Sequence, residues 1–215
     1  VFDSAWDTIA DKLGDNPVEE LVIETGEGPD LIPAHPGLDT LDAELGNIDD
    51  AGERYSRLTQ FLDTYVDPLG YDVILIDLPG MTNNITYNGL WGAQHAITPV
   101  EMGPFEAEQA ESLTTDVAKL NDNFATNIEI TLVLPNKVDT RTKLSDDYLD
   151  VFTEAYPKAI APTYVPYSQD IRNAAERGTT AFALESPSKT AQDAINAYLS
   201  AAETLITRLE GDENV

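Results

Sequence analysis

Three short segments of this chain carry residues whose types and spacing could do chemistry. The first is Tyr71–Gly80, YDVILIDLPG, where the apolar run Val73 to Ile76 leads into Asp77 and a Pro79-Gly80 turn. So short a run, rich in β-branched residues, predicts a strand buried on both faces, as in a parallel sheet. An acid at the carboxyl end of such a strand stands where open α/β sheets bind ligands. A carboxylate there can hold the magnesium of a bound nucleotide. A strand-terminal Asp that only caps a turn is the plainer alternative. The second segment, Leu134–Asp139 (LPNKVD), ends another apolar run. An amide at a strand end offers both donor and acceptor and can read a purine edge. On residues alone NKxD suggests guanine, with an Asx-type turn as the alternative. The third, Val165–Gly178 (VPYSQDIRNAAERG), reads as a strand leaving through Pro166. A helix follows, N-capped by Ser168 and closed by Gly178.

A phosphate-binding loop would complete a nucleotide site, and these residues contain none. Lysines 12, 119, 137, 143, 158 and 189 all lack a preceding glycine, so GxxxxGK followed by Ser or Thr does not occur. The backbone N–H cradle, the phosphate lysine and the magnesium-binding hydroxyl of such a loop are missing with it.

The elements that must position these residues follow from periodicity. Phe2, Trp6, Ile9 and Leu13 lie on one face of a helix over residues 1–16. Short strands are predicted over Leu21–Glu24 and Asp30–Ala34, and helices over Leu38–Leu45 and Glu53–Val66. After the strand at 71–77, strands at Ala96–Val100, Ile128–Pro135 and Ala161–Val165 alternate with helices. Those helices span Glu106–Leu120, Asp146–Ala155, Asp170–Arg177 and Thr190–Leu209. Such alternation predicts βαβ units and a mostly parallel sheet flanked by helices. No linker or repeat divides the chain, so residues 1–215 are expected to form a single domain.

Composition bounds the class. At 215 residues and 42% hydrophobic content the chain can bury a full core. No apolar run approaches the roughly 18 residues that span a bilayer, and no signal peptide opens the sequence, so a cytoplasmic location is expected. Without cysteine, disulfides, Cys-ligated zinc and iron–sulfur clusters are excluded. His35 and His95 lie far apart and read as structural or surface residues. The 39 acids against 12 bases give a net charge of −27, spread along the chain. That pattern predicts a halophilic, archaeal-like surface, because molar salt screens the self-repulsion.

Taken in order, the segments resemble the ParA/Soj family of partition ATPases, in the ParA–MinD group of deviant-Walker P-loop NTPases. YDVILIDLPG is similar to the family's YDxIxIDxPP, and ITYNGLWGAQHAITPVEMGPFEAEQ to its next helix, strand and loop. LVLPNKVD resembles the strand before the base contact, VPYSQDIRNAAERGTTAF the family's IPxSxxIREAxxxGxPV, and PDLIPAHPGLDTLDAEL its DLIPAxxxLxxxE. The resemblance covers essentially residues 1–210. It implies a Rossmann-like three-layer P-loop NTPase fold whose N-terminal strand–loop–helix portion, with KGGxGKT, precedes the segment at which this chain begins. Truncation is the favoured explanation, because Asp77 and the base-side motif look undegraded.

What the resemblance implies about the site is specific. Asp77 becomes the Walker B acid, holding Mg2+ through water, with Pro79 and Gly80 in the switch segment. Asn136, Pro166, Tyr167, Ser168 and Asp170 line the pocket for the base of ATP, adenine rather than guanine. Arg172 and Arg177 could contribute to non-specific DNA binding, which the net charge opposes. The family implies an ATP-driven homodimer, a ParB-like centromere-binding activator and plasmid or chromosome partitioning. This chain alone is expected to be inactive as an ATPase. A MinD-like positioning ATPase is one alternative, but the acidic C-terminal end lacks a membrane-binding helix. A nucleotide-free scaffold or dimer partner without the P-loop is the other.

Overall fold

The computed structural model describes residues 17–35 and 37–212, and the helix expected over residues 1–16 lies outside them. The fold is α/β and helix-rich, and its contacts gather into two compact units. The first comprises the residues up to Gln94 with 124–128, the second residues 95–123 with 129 onward.

In the first unit, β1 (Ile23–Glu24) and β2 (Asp30–Leu31) form a minimal antiparallel hairpin, shorter than expected. Helix α1 (Leu38–Gly46) matches its expected span. The helix expected over 53–66 is instead a broken series. It runs α2 (Ala51–Tyr55), α3 (Arg57–Phe61), a π turn at Leu62–Val66 and a 3-10 turn at Asp67–Leu69. Asp50 opens it by accepting the Glu53 N–H at 2.8 Å, and Gly70 closes it with φ +75, a conformation glycine adopts without strain. Helix α4 (Asn84–Ala93) is capped by Asn83, whose side chain accepts the Thr86 N–H at 2.9 Å. Asn88 of α4 staples this helix to the broken series: its oxygen accepts from Leu58 N at 3.1 Å, and its nitrogen donates to Arg54 O at 3.0 Å. Around Tyr55 gather the rings of Tyr87, Trp91 and Phe124, with Tyr87 and Phe124 edge-on at 5.2 and 5.6 Å.

The strand expected over 71–77 is not formed. Among the described residues no strand pairs with this segment, and Val73 and Leu75 are 55% and 76% exposed. Its ends alone are fixed. Tyr71 donates its hydroxyl to Asp30 at 2.7 Å, and Leu78 packs so tightly on Gly89 that a Cβ there would meet it at 2.2 Å.

In the second unit, β3 (His95–Val100) and β4 (Glu129–Pro135) pair in parallel, joined by α5 (Pro104–Phe124). The long connection is what a parallel pair requires. β4 is buried on both faces. Leu132 and Leu134 pack with Val165 against Ala194, Ala197 and Ala201 of α8 (Lys189–Asp212). Val133 packs on the other side with Val100, Ala110 and Phe152, the last from α6 (Lys143–Ala155). The small side chains of α8 let that helix lie close to the sheet. Arg208 near its end then donates to the carbonyls of Thr131, Ala159 and Ile160 at 2.6, 2.8 and 3.1 Å. The strand expected at Ala161–Val165 shrinks to isolated bridges, Val133 with Ile160 and Val138 with Pro166. Helix α7 (Gln169–Glu176) ends as expected at Gly178, φ +72, with Thr179 N bonded to Ala174 O and Gly178 N to Ala175 O.

Candidate functional site

The second unit brings the base-side residues together. As β4 ends, Asn136 N donates to Val100 O at 2.8 Å, which ties the exit of β4 to the end of β3. Three more backbone bonds join this exit to the next segment: Val165 N to Pro135 O at 2.8 Å, then Val138 N to Val165 O and Tyr167 N to Val138 O, both at 3.0 Å. The amide of Asn136 and the Pro166–Ser168 turn are thereby held on adjoining backbone. Asn136 is half-buried, and its oxygen accepts from Lys137 N at 3.0 Å and from the Tyr198 hydroxyl at 3.3 Å. Tyr198 is a contact across 62 residues that no local pattern announces.

Ser168 stands at the N-cap position of α7, yet its hydroxyl makes no cap bond, contrary to the sequence expectation. The residue is 8% exposed, and its Oγ has no hydrogen-bond partner among the described residues. A buried hydroxyl left unpaired is costly. Asp170, in the first turn of the same helix, is committed elsewhere. It accepts the Ser188 N–H at 2.9 Å, and that bond holds its carboxyl below the ordinary range. Tyr167 is 40% exposed beside these groups.

Asp139, the acid of the NKVD segment, is paired with a neighbour in its own loop. Arg141 grips its two oxygens at 2.8 and 2.7 Å and adds its backbone N–H, which together lower the Asp139 pKa to about 2. The Arg141 contacts occupy most of the acceptor capacity of this carboxylate.

Asp77, Pro79 and Gly80 belong to the first unit. All are exposed, and Asp77 has no side-chain partner among the described residues. A recess of about 290 Å3 opens nearby, with Asp63, Asp67 and Asp72 on its wall beside Leu62, Ile74 and Ile76. Its carboxylates do not converge, since no described trio of His, Cys, Asp or Glu is set to hold a metal. A single open carboxylate such as Asp77 still suits magnesium, which keeps most of its waters and takes one or two acids plus substrate phosphates. On α7, Arg172 pairs with Glu176 at 3.4 Å, and Arg177 is the exposed C-cap. His95 is structural, its ring 2.9 Å from the Thr131 hydroxyl.

An AAA domain family model matches residues 3–130. The chromosome partitioning protein ParA of Caulobacter vibrioides is 24% identical over 197 residues, 91% of this chain and 71% of that protein. The chromosome-partitioning ATPase Soj of Treponema pallidum is 28% identical over 149 residues, 68% of this chain, which spans only 56% of that relative. Among solved structures, an ATP complex of Cyanothece McdA superposes with a TM-score of 0.72 at 19% identity, over 91% of this chain and 72% of that one. Cobyrinic acid a,c-diamide synthase of Mycobacterium smegmatis, with ADP and magnesium bound, gives 0.59 at 23%, over 77% of this chain and 69% of that one. At these identities the structural likenesses speak to fold.

Proposed function

The chain belongs to this AAA domain family of ParA/MinD-type P-loop ATPases, and from that premise we propose that it is the base-binding part of a partition ATPase. The observation that carries the reading is the pairing of a half-buried amide, Asn136, with the buried and unpartnered hydroxyl of Ser168 on stitched backbone. Both groups would meet the base of ATP, flanked by Pro166 and Tyr167, while Asp170 holds the turn in place. The relatives' names support partitioning as the cellular role. Asp77 would hold Mg2+ through water, and Pro79 and Gly80 would move with nucleotide state. ATP-driven homodimerisation, a ParB-like activator and non-specific DNA binding aided by Arg172 and Arg177 complete the proposal. Counterion-release binding to DNA weakens steeply with salt, so a chain of this acidity would bind DNA only weakly.

Titrating the isotope-labelled chain with Mg-ATP tests the reading by nuclear magnetic resonance. Binding is expected to be weak without a phosphate loop, with shifts concentrated at Asn136 and 166–170 and lost in Asn136→Ala. Shifts that avoid these residues, or that survive the substitution, sink it. In a form of the protein that turns over ATP, Asp77→Ala is expected to abolish turnover without lowering the melting midpoint.

A further inference from the structure

The next step rests on the base-binding reading above and concerns which edge of the base the site selects. Asn136 Oδ1 accepts two bonds, from the Lys137 backbone N–H and from the Tyr198 hydroxyl. The first contact identifies the atom, because a backbone N–H only donates and must face the amide oxygen. A carbonyl oxygen offers two lone pairs, so both are engaged. The amide nitrogen has no partner among the described residues, and it is absent from their sealed, unpartnered atoms. What Asn136 presents to a ligand is therefore a pair of N–H donors.

Both neighbours are built to keep it that way. Lys137 sits at φ +52, and its Nζ pairs with Glu101 at 2.6 Å. Tyr198 projects from α8 and packs against the buried cluster of Leu132, Leu134 and Val165. Burial, outweighing the nearby Lys137 charge, holds its phenol above the ordinary 10.0, so it remains a neutral donor.

We propose that Tyr198 is a positioning residue that locks Asn136 as a donor, so that Asn136 meets a purine at its ring-nitrogen acceptors rather than at its exocyclic amine. Nucleosides test this on the 215-residue chain without calling on a phosphate loop. Adenosine and purine riboside, the same ring without the amine, are titrated against the labelled protein and followed at Asn136. The two are expected to bind within about threefold of each other. Tyr198→Phe frees a lone pair for the amine and is expected to raise the adenosine preference about tenfold, the worth of roughly one hydrogen bond. A wild-type preference for adenosine of tenfold or more, or a ratio unmoved by Tyr198→Phe, overturns the proposal and leaves base binding standing. If neither nucleoside perturbs Asn136, base binding itself fails, and the proposal with it. Asn136→Asp keeps Tyr198 and replaces donors by acceptors. It is expected to lose purine riboside at least tenfold, and undiminished binding overturns the donor assignment even if Tyr198→Phe destabilises the fold.

Discussion

Two stretches of this chain are near twins in composition and opposite in fate. Ile130 to Pro135 (ITLVLP) and Val73 to Pro79 (VILIDLP) are both apolar, both rich in β-branched residues and both closed by proline. The first is β4, paired with β3 and sealed beneath α5, α6 and α8, with Val133 fully buried. The second forms no strand, and Leu75 is 76% exposed. The difference teaches that a buried strand is a property of its neighbours. Extended backbone exposes a row of N–H and C=O groups that only an adjacent strand satisfies. β4 has that neighbour, whereas the described residues offer none to 73–79.

The comparison breaks most directly by truncating one leucine in each stretch. Leu132→Ala leaves a cavity in a packed site and is expected to cost about 2–5 kcal/mol. Leu75→Ala is expected to change stability by no more than about 0.5 kcal/mol, as for an exposed position. Denaturant titration of both variants decides the matter, and comparable losses would mean that 73–79 is buried in solution. Arg208→Ala comes next in size. It removes three bonds to carbonyls at the edge of the β4 core, including Thr131 O. A loss of about 1–3 kcal/mol is expected. If urea unfolding shows none, α8 is held by its alanine face alone.

The same contrast shows what was legible in the sequence. The double burial of β4, the span of α1 and the glycine stop of α7 followed from apolar runs and punctuation. The identical logic failed at 73–77, because an apolar run states a demand for partners and not their presence. Helix α4 escaped periodicity altogether. Its inward residues include Asn88 and Gly89, chosen for a staple and a close approach rather than for hydrophobicity, and only the family resemblance implied a helix there. Asn136 was legible as a candidate from its strand-end position, Ser168 only through the family resemblance. Their states were not: the orphaned hydroxyl and the Tyr198 contact depend on distant backbone.

Salt sharpens the comparison through charge. The open stretch lies beside Asp63, Asp67 and Asp72, and the whole chain carries −27. Screening shortens the Debye length from about 10 Å at roughly 0.1 M to about 3 Å at roughly 1 M. The melting midpoint is therefore expected to rise with potassium chloride into the molar range. A flat or falling midpoint would leave the acidity without a halophilic explanation.

The smallest effect concerns how each stretch is left. Beyond 73–79 the chain passes through exposed Pro79 and Gly80, whereas beyond β4 the loop carries its own brace. There Arg141 holds Asp139 near pKa 2 against an ordinary 3.8. The sign follows from the depression. An acid whose folded value lies below its unfolded one adds stability above about 3.8 and loses it as the pH falls through about 2. Water surrounds the pair, with Arg141 83% exposed, so the contribution is screened and small. Resonances of the Asp139 carboxyl carbon followed between those limits measure it directly. In Arg141→Ala the midpoint is expected to climb back toward 3.8, while the shifts of Leu132 and Val133 stay fixed. A midpoint that remains near 2 would show that the loop backbone, and not the guanidinium, holds this acid ionised.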